Sequence, residues 1–244
     1  MNVIMFGYYY DPTYIFVIIG ALLCFWASSK VNTTYRKYAK IYSRSGMTGA
    51  QAAQRILRMS GINDVQIQHV SGELTDHYDP SHKVLRLSDS VYDSHSVAAI
   101  GVAAHECGHA VQHQKGYLPI KIRSLLVPIA NFGSKLGLPL VVFGLILGLD
   151  FQLPGGGYFS VTQIGIWLFS FAVLFQLVTL PVEFNASGRA LKLLESCGIM
   201  GEDEIDDCKK VLGAAALTYV AAAASSLLQL LRLIMISGNR RRDD

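Results

Sequence analysis

Residues 97–115 read VAAIGVAAHECGHAVQHQK, and this stretch decides the interpretation of the whole chain. No proline interrupts it and its alanines favour a closely packed helix, on which His105 and His109 lie one turn apart on one face. Two imidazole nitrogens so placed can bind one Zn²⁺. Glu106 lies off the histidine line and can act as general base toward water that the ion polarises. The stretch therefore predicts a zinc site; two incidental histidines are the alternative.

The composition favours membrane spans joined to a small domain. Of 244 residues, 51% are apolar and only 16% charged, against about 25% charged residues in soluble domains. The net charge of +3 and the lack of a basic stripe with interleaved aromatics argue against nucleic acid as a partner. The four cysteines form no CxxC pair, which is typical of reduced thiols in a protein that faces the cytosol.

Three apolar stretches are long enough to cross a bilayer. The first is Thr13–Ser29, the second lies within Leu125–Leu149, and the third, without any charge, lies within Ser160–Pro181. The alternative is that all three are core helices of a soluble protein. Their lengths favour about three transmembrane helices.

The placement of lysine and arginine predicts the orientation of these spans. Residues 1–12 and 150–159 carry neither, whereas five basic residues follow the first span: Lys30, Arg36, Lys37, Lys40 and Arg44. Because cytoplasmic loops are enriched in these residues, we expect the N-terminus outside and residues 30–120 in the cytoplasm.

A fourth apolar stretch, Val211–Ile236, is ambiguous. A span here would place Arg240, Arg241 and Arg242 outside, against the same rule. The stretch is rich in alanine and includes polar residues: Tyr219, Ser225, Ser226, Gln229 and Arg232. We therefore expect a cytoplasmic helix packed on the catalytic unit or the membrane surface, with the acidic run Glu202–Asp207 at its N-terminus; a true span is the alternative.

The segment before the motif predicts a small α/β unit. Thr48 and Gln51 form a capping box for a helix that ends at Met59, and Val65–Val70 alternates as a half-buried strand does. A hairpin follows, from Glu73–Tyr78 to Lys83–Ser88. We expect the strand Lys83–Ser88 to lie at a sheet edge and to pair with an extended peptide substrate, although a structural inner strand is nearly as compatible. Asp93-Ser94 is the expected N-cap of the motif helix.

A catalytic zinc ion needs a third protein ligand and keeps one position for water. His113 is eight residues from His105, about 12 Å along a helix, so it cannot reach the same ion. The remaining histidines are expected to be solvated polar residues: His69, His77, His82 and His95. Glu183 is the better candidate, because it follows the third span on the expected side of the motif helix and opens a predicted short helix, Glu183–Ser196.

Three segments together resemble the YugP-like family of neutral zinc metallopeptidases of bacterial membranes: LTDHYDPSHKVLRLS at 74–88, AAHECGHAVQH at 103–113 and LPVEFNASGRAL at 180–191. The arrangement is more distantly similar to the HtpX and CAAX prenyl protease group. The resemblance implies a zincin-like α+β cytoplasmic unit, one zinc ion per chain bound by His105, His109 and Glu183, catalysis by Glu106, and the bacterial cytoplasmic membrane as location. It also implies a gluzincin-like peptidase acting on peptides or membrane proteins.

One position departs from the more distant group, which has an aspartate four residues after its glutamate ligand. Here that residue is Ser187, which can hydrogen-bond a ligand histidine but supplies no charge. No oxyanion stabiliser is evident. The candidates for these supporting roles are Asn185, Ser187, Arg189, His77, Tyr78 and His113.

The sequence thus predicts a mainly α membrane protein with a small sheet, a motif helix and a glutamate-ligand helix. Its predicted parts are an anchor at 1–29, a cytoplasmic unit at 30–120, a transmembrane hairpin at 121–182 and a glutamate-ligand segment at 183–244. Two other functions stay open: a site-2-type intramembrane protease, with Asp150 as the nearest aspartate ligand, and a zinc scaffold without activity. Glu106 argues against the scaffold, because a structural zinc site has four protein ligands and needs no base.

Overall fold

The computed structural model describes residues 11–152 and 158–243. Within these ranges the chain forms six helices: α1 Tyr14–Tyr38, α2 Gly49–Met59, α3 Val97–Gln114, α4 Leu118–Leu147, α5 Val161–Ser196 and α6 Glu202–Asp243. The strands in the same ranges are β1 Gln66–Val70, β2 His77–Asp79, β3 Val84–Ser88, β4 Asp150–Gln152 and β5 Tyr158–Ser160. The mainly α fold with a small sheet agrees with the sequence prediction.

Four helices, α1, α4, α5 and α6, are long and apolar enough to cross a membrane. They expose large apolar side chains that a soluble protein would bury: Phe25 is 74% exposed, Trp167 65% and Ile146 71%. These surfaces fit a lipid environment. The helices α4 and α5 form a hairpin closed by the antiparallel pair β4–β5, at the loop expected outside.

The fourth apolar stretch belongs to α6, which packs antiparallel along α1 and also contacts α3 and α5. The contact with α3 agrees with the expected packing on the catalytic unit, and α6 is also long and apolar enough to span. Tyr38 at the end of α1 packs against Val211 near the start of α6. At the opposite end, Asp11 forms an ion pair with Arg232 at 3.0 Å. Arg232, one of the polar residues of this stretch, thus contacts another helix. Polar residues of this kind made the composition resemble that of a surface helix.

The glutamate-ligand segment is not a separate short helix, so that prediction is wrong. The helix α5 continues from the apolar span through Pro181 to Ser196, and Gly198 follows in the left-handed region with φ of +60°. Helices that cross membranes tolerate an internal proline because neighbouring groups satisfy the freed backbone. Glu183 therefore projects from the interior of a rigid helix.

The small α/β unit packs α2, the three-stranded sheet and α3 around one apolar core. The predicted capping box of α2 is present, with Thr48 Oγ1 accepting from the Gln51 N–H at 3.2 Å. The N-cap of α3 is Ser96, which follows the expected Asp93-Ser94 and accepts the Ala99 N–H at 3.2 Å.

The strand Lys83–Ser88 is not at a sheet edge, and the expectation that it binds substrate by edge pairing is wrong. The strand order is β1-β3-β2, with β1 parallel and β2 antiparallel to the central β3. Val84 and Leu85, which point to opposite faces of β3, are both buried, so both faces of this strand are covered. The hairpin's first strand is only His77–Asp79, and it lies at the edge nearest α3.

Candidate metal centre

The helices α3 and α5 cross directly at the motif. Gly108 lies at the crossing, where a Cβ atom would approach the backbone oxygen of Ala186 to 2.5 Å. Only a glycine permits this approach, and the close crossing places Glu183 of α5 against His105 and His109 of α3. The two imidazole rings stand perpendicular, with centroids 4.8 Å apart.

Three donor atoms converge at this crossing. The Nε2 atom of His105 lies 3.2 Å from Oε2 of Glu183, and Nε2 of His109 lies 3.6 Å from the same oxygen. Zinc held at about 2.0–2.1 Å in a tetrahedron separates its ligand atoms by about 3.3 Å. Two nitrogens and one carboxylate oxygen at this spacing therefore fit a zinc ion, and Glu183, only 2% exposed, is buried as a ligand would be.

Each histidine ring is oriented by a second hydrogen bond. Gln112 donates its Nε2 hydrogens to the Val182 carbonyl at 2.8 Å and to Asn185 Oδ1 at 3.0 Å. Its Oε1 must therefore accept, and it takes the Nδ1–H of His109 at 3.0 Å. With Nδ1 protonated, Nε2 of His109 presents its lone pair to the Glu183 side.

Ser187 performs the same task for the other histidine. Its Oγ hydrogen-bonds Nδ1 of His105 at 3.1 Å, so the position that departs from the distant group still contacts the ring. Asn185 acts further out, accepting from Arg189 Nε at 2.7 Å and from Gln112. Arg189 is therefore linked to the site only through Asn185.

Glu106 is held beside the three donors. It is 9% exposed, and its Oε2 accepts the backbone N–H of Tyr78 in β2 at 3.0 Å. It lines a cavity of about 340 Å³ together with His105 and Glu183. The edge strand β2 thus orients a carboxylate that faces the same space as the donor cluster.

The family comparison agrees with this geometry. Residues 13–238 match the model of a family described as "Putative neutral zinc metallopeptidase". The chain belongs to this family. A similar protein is the "Putative membrane protease YugP" of Bacillus subtilis (strain 168), which is 48% identical over 232 residues, covering 95% of this chain and 99% of the relative. No solved structure matches the chain.

Three residues around the donor cluster were missed in the sequence. Arg123 of α4 places Nη1 3.4 Å from Oε1 of Glu183, the oxygen turned away from the histidines. Tyr219 of α6 lines the cavity near Glu183 and Glu106. Gln112 had a weak local signal, since it lies three residues after His109 on the same helix; the other two come from distant elements and had none.

Other candidates lie outside the cluster. His113 faces the Tyr78 hydroxyl at 3.5 Å, and His77 hydrogen-bonds the Thr75 carbonyl at 2.8 Å. The remaining histidines contact surface groups: His69 with Asp89, His82 with Asp79, and His95 with the Gly46 carbonyl. Asp150 begins β4 beyond Leu147, at the opposite end of α4 from Arg123, and it does not belong to the donor cluster.

Nearby charges and burial change the pKa values of two residues of the motif helix. Burial disfavours the protonated ring of His109, but the Glu183 and Glu106 carboxylates outweigh it and raise its pKa. Burial raises the pKa of the Cys107 thiol well above its usual range, and Glu106 adds to this effect. Cys107 is therefore a packing residue between the two histidines and is protonated at neutral pH.

Proposed function

We propose that this chain is a membrane-bound zinc endopeptidase whose active centre is the crossing of α3 and α5. The observation that carries the proposal is the convergence of three donor atoms within 4.8 Å of one another beside the buried carboxylate of Glu106. A zinc site with three protein ligands and an adjacent carboxylate is typical of hydrolytic rather than structural zinc.

The residues divide the task as follows. His105, His109 and Glu183 would bind one zinc ion, which when bound supplies a Lewis acid that polarises water and the scissile carbonyl. Glu106 takes the proton from the attacking water and passes it to the leaving amine. The Tyr78 N–H, 3.0 Å from Glu106, keeps one carboxylate oxygen engaged and so fixes the direction of the other.

The proposed location is the bacterial cytoplasmic membrane, with the centre facing the cytoplasm. Two features of the sequence support this orientation: basic residues are concentrated between 30 and 44, and residues 150–159 contain no lysine or arginine. Peptides and membrane proteins with a cytoplasmic segment are the substrates that such a centre can reach.

Glu106→Gln is the variant that tests catalysis separately from metal binding. The purified wild-type protein is expected to contain one zinc per chain by mass spectrometry and to cleave a quenched-fluorescent peptide library. Glu106→Gln should keep its zinc and lose about 10²–10⁴-fold in kcat/KM, the range for removal of a general base.

Ligand substitutions complete the test. His105→Ala, His109→Ala and Glu183→Ala should each lose zinc, whereas His113→Ala should retain it. Zinc retention by Glu183→Ala would overturn the third ligand. A zinc-loaded wild-type protein that cleaves nothing in the library would favour the scaffold function instead.

A further inference from the structure

The cavity beside Glu106 has two chemically different ends. One end contains the donor cluster. The other, here called the apolar end, is lined by apolar side chains. These come from α1, the loop before β2, α3 and α6: Val31, Leu74, Val102, Leu212, Ala215 and Ala216. Alanines at two of these positions keep the space open, and the volume of about 340 Å³ lies near the lower end of the range for ligand sites.

The polar groups at the apolar end already have partners. Asp76 accepts from the N–H and the hydroxyl of Ser88 at 2.8 and 2.9 Å. Thr218 donates its hydroxyl to the Ala215 carbonyl at 2.7 Å. No lysine or arginine lines the cavity in the part of the chain that the structure describes. An anionic substrate side chain would therefore lose water without gaining a counter-charge, whereas an aliphatic one would gain apolar contacts.

Leu74 is the most unusual residue of this wall. Its backbone lies in the left-handed region, with φ of +56°, which is strained for a residue with a branched side chain. Its side chain is nevertheless 51% exposed, so packing within the chain does not explain why a leucine stands there. Backbone strain of this kind concentrates at sites of ligand contact.

We propose that the apolar end of this cavity binds an aliphatic side chain of the substrate next to the scissile bond, between Leu74 on one side and the α6 wall on the other. The inference rests on the proposed peptidase function and names its substrate class: peptide segments with an aliphatic residue at that position. Leu74 acts as a specificity-determining residue. Contact with a bound substrate side chain removes the exposed surface of Leu74 from water.

Binding to an inactive protein tests the pocket without turnover. Zinc-loaded Glu106→Gln is mixed with dye-labelled Gly/Ser decapeptides that carry one central Leu, Asp or Asn. The Leu peptide should bind roughly tenfold or more tightly than the Asp and Asn peptides, since burial of one aliphatic side chain has about this effect. Equal affinities for the three peptides would overturn the proposal.

Variants of Leu74 separate substrate contact from a structural role. Leu74→Gly and Leu74→Asn both accommodate a positive φ, so the melting temperature should stay the same or rise. The preference for the Leu peptide should shrink about fivefold or more. Ile41→Asn, which alters an exposed loop aliphatic outside the cavity, should leave the preference unchanged. A lower melting temperature with an unchanged preference would assign Leu74 a packing role and overturn the inference.

A photo-leucine peptide locates the contact directly. Crosslinks should map to residues 71–76 and to α6 near Ala215, and crosslinks confined to other elements would contradict the proposal.

The outcome for the peptidase function is separate. Selective binding by a wild-type protein that cleaves no peptide would sustain the pocket and reject the peptidase, whereas cleavage without preference for Leu would reject the pocket alone.

Discussion

At the scale of single residues, the site depends on side chains that do not bind the metal themselves. Gln112 is fully buried and connects His109 of α3 to two oxygen atoms of α5. Arg123 engages the Glu183 oxygen that faces away from the histidines. These contacts fix which atom each ligand presents, and partners of this kind typically contribute 10–100-fold to metal affinity.

Gln112→Leu should therefore weaken zinc binding by about 10–100-fold. The substitution roughly preserves the volume of the side chain but leaves the Nδ1–H of His109 without its Gln112 partner in a buried site. Competition with a chelator of known affinity measures the change. Gln114→Leu, two residues away and exposed, is the matched control and should bind zinc as the wild type does. Equal affinities for the two variants would contradict the orienting role.

Arg123→Gln should also weaken zinc binding, by a similar factor. Without the guanidinium, the buried carboxylate of Glu183 loses the charged group at 3.4 Å that orients its second oxygen, and Arg123→Lys should recover part of the affinity because the charge returns without the fork. Lys121→Gln removes the same charge from an exposed position of α4. If Lys121→Gln weakens binding as much as Arg123→Gln does, the effect is one of net charge and the specific contact is refuted.

At the scale of elements, the crossing of α3 and α5 is what brings the motif to its third ligand. The two helices approach backbone to backbone at Gly108 and Ala186. The atom that a side chain at position 108 would meet is a carbonyl oxygen of a rigid helix, which cannot rotate away. Any widening of this crossing separates Glu183 from the two histidines.

Gly108→Ala is expected to lower both stability and zinc content. The added methyl group must push the helices apart, and overpacking of this kind costs about 1–3 kcal/mol. Gly188→Ala, on α5 with no atom within 4 Å of the new Cβ, should instead be neutral or stabilising by up to about 1 kcal/mol through helix propensity. Thermal unfolding and zinc analysis of both proteins test this. A Gly108→Ala protein as stable and as zinc-rich as Gly188→Ala would show that the crossing has slack.

The elements that the sequence predicted correctly are those set by neighbouring residues. The Thr48–Gln51 cap and the i, i+4 histidines both act within one or two turns, so the sequence pattern alone predicts them. The central position of β3 and the uninterrupted helix through Pro181 depend on which surfaces pack together. Arg123 and Tyr219 reach the site from α4 and α6, and no local pattern marks a residue that becomes important only through the tertiary fold.

At the scale of the whole molecule, α1 and α6 form an antiparallel pair whose contacts extend along both helices. The contacts Tyr38 with Val211, Gly20 with Ser225 and Asp11 with Arg232 run in opposite order along the two helices. If α1 crosses the bilayer, the segment of α6 between Val211 and Arg232 lies at the same depth. The count of lysine and arginine weighs against a spanning α6, because it would place residues 240–242 outside, whereas the Asp11–Arg232 pair favours it.

The termini are therefore predicted to lie on the same face of the membrane, opposite the zinc centre. Gly238→Cys, at the end of α6, should react with a membrane-impermeant maleimide added to intact cells, and Lys115→Cys, in the turn after α3, should react only after permeabilisation. The native protein provides a low background, because Cys107, Cys197 and Cys208 are buried and Cys24 lies within α1. Labelling of Gly238→Cys only after permeabilisation would place α6 on the cytoplasmic surface, in conflict with the Asp11–Arg232 pair. Asp11→Asn weakens that pair. If α6 spans, its end should fray and Gly238→Cys should label faster in intact cells, whereas a cytoplasmic surface helix should stay unlabelled until permeabilisation.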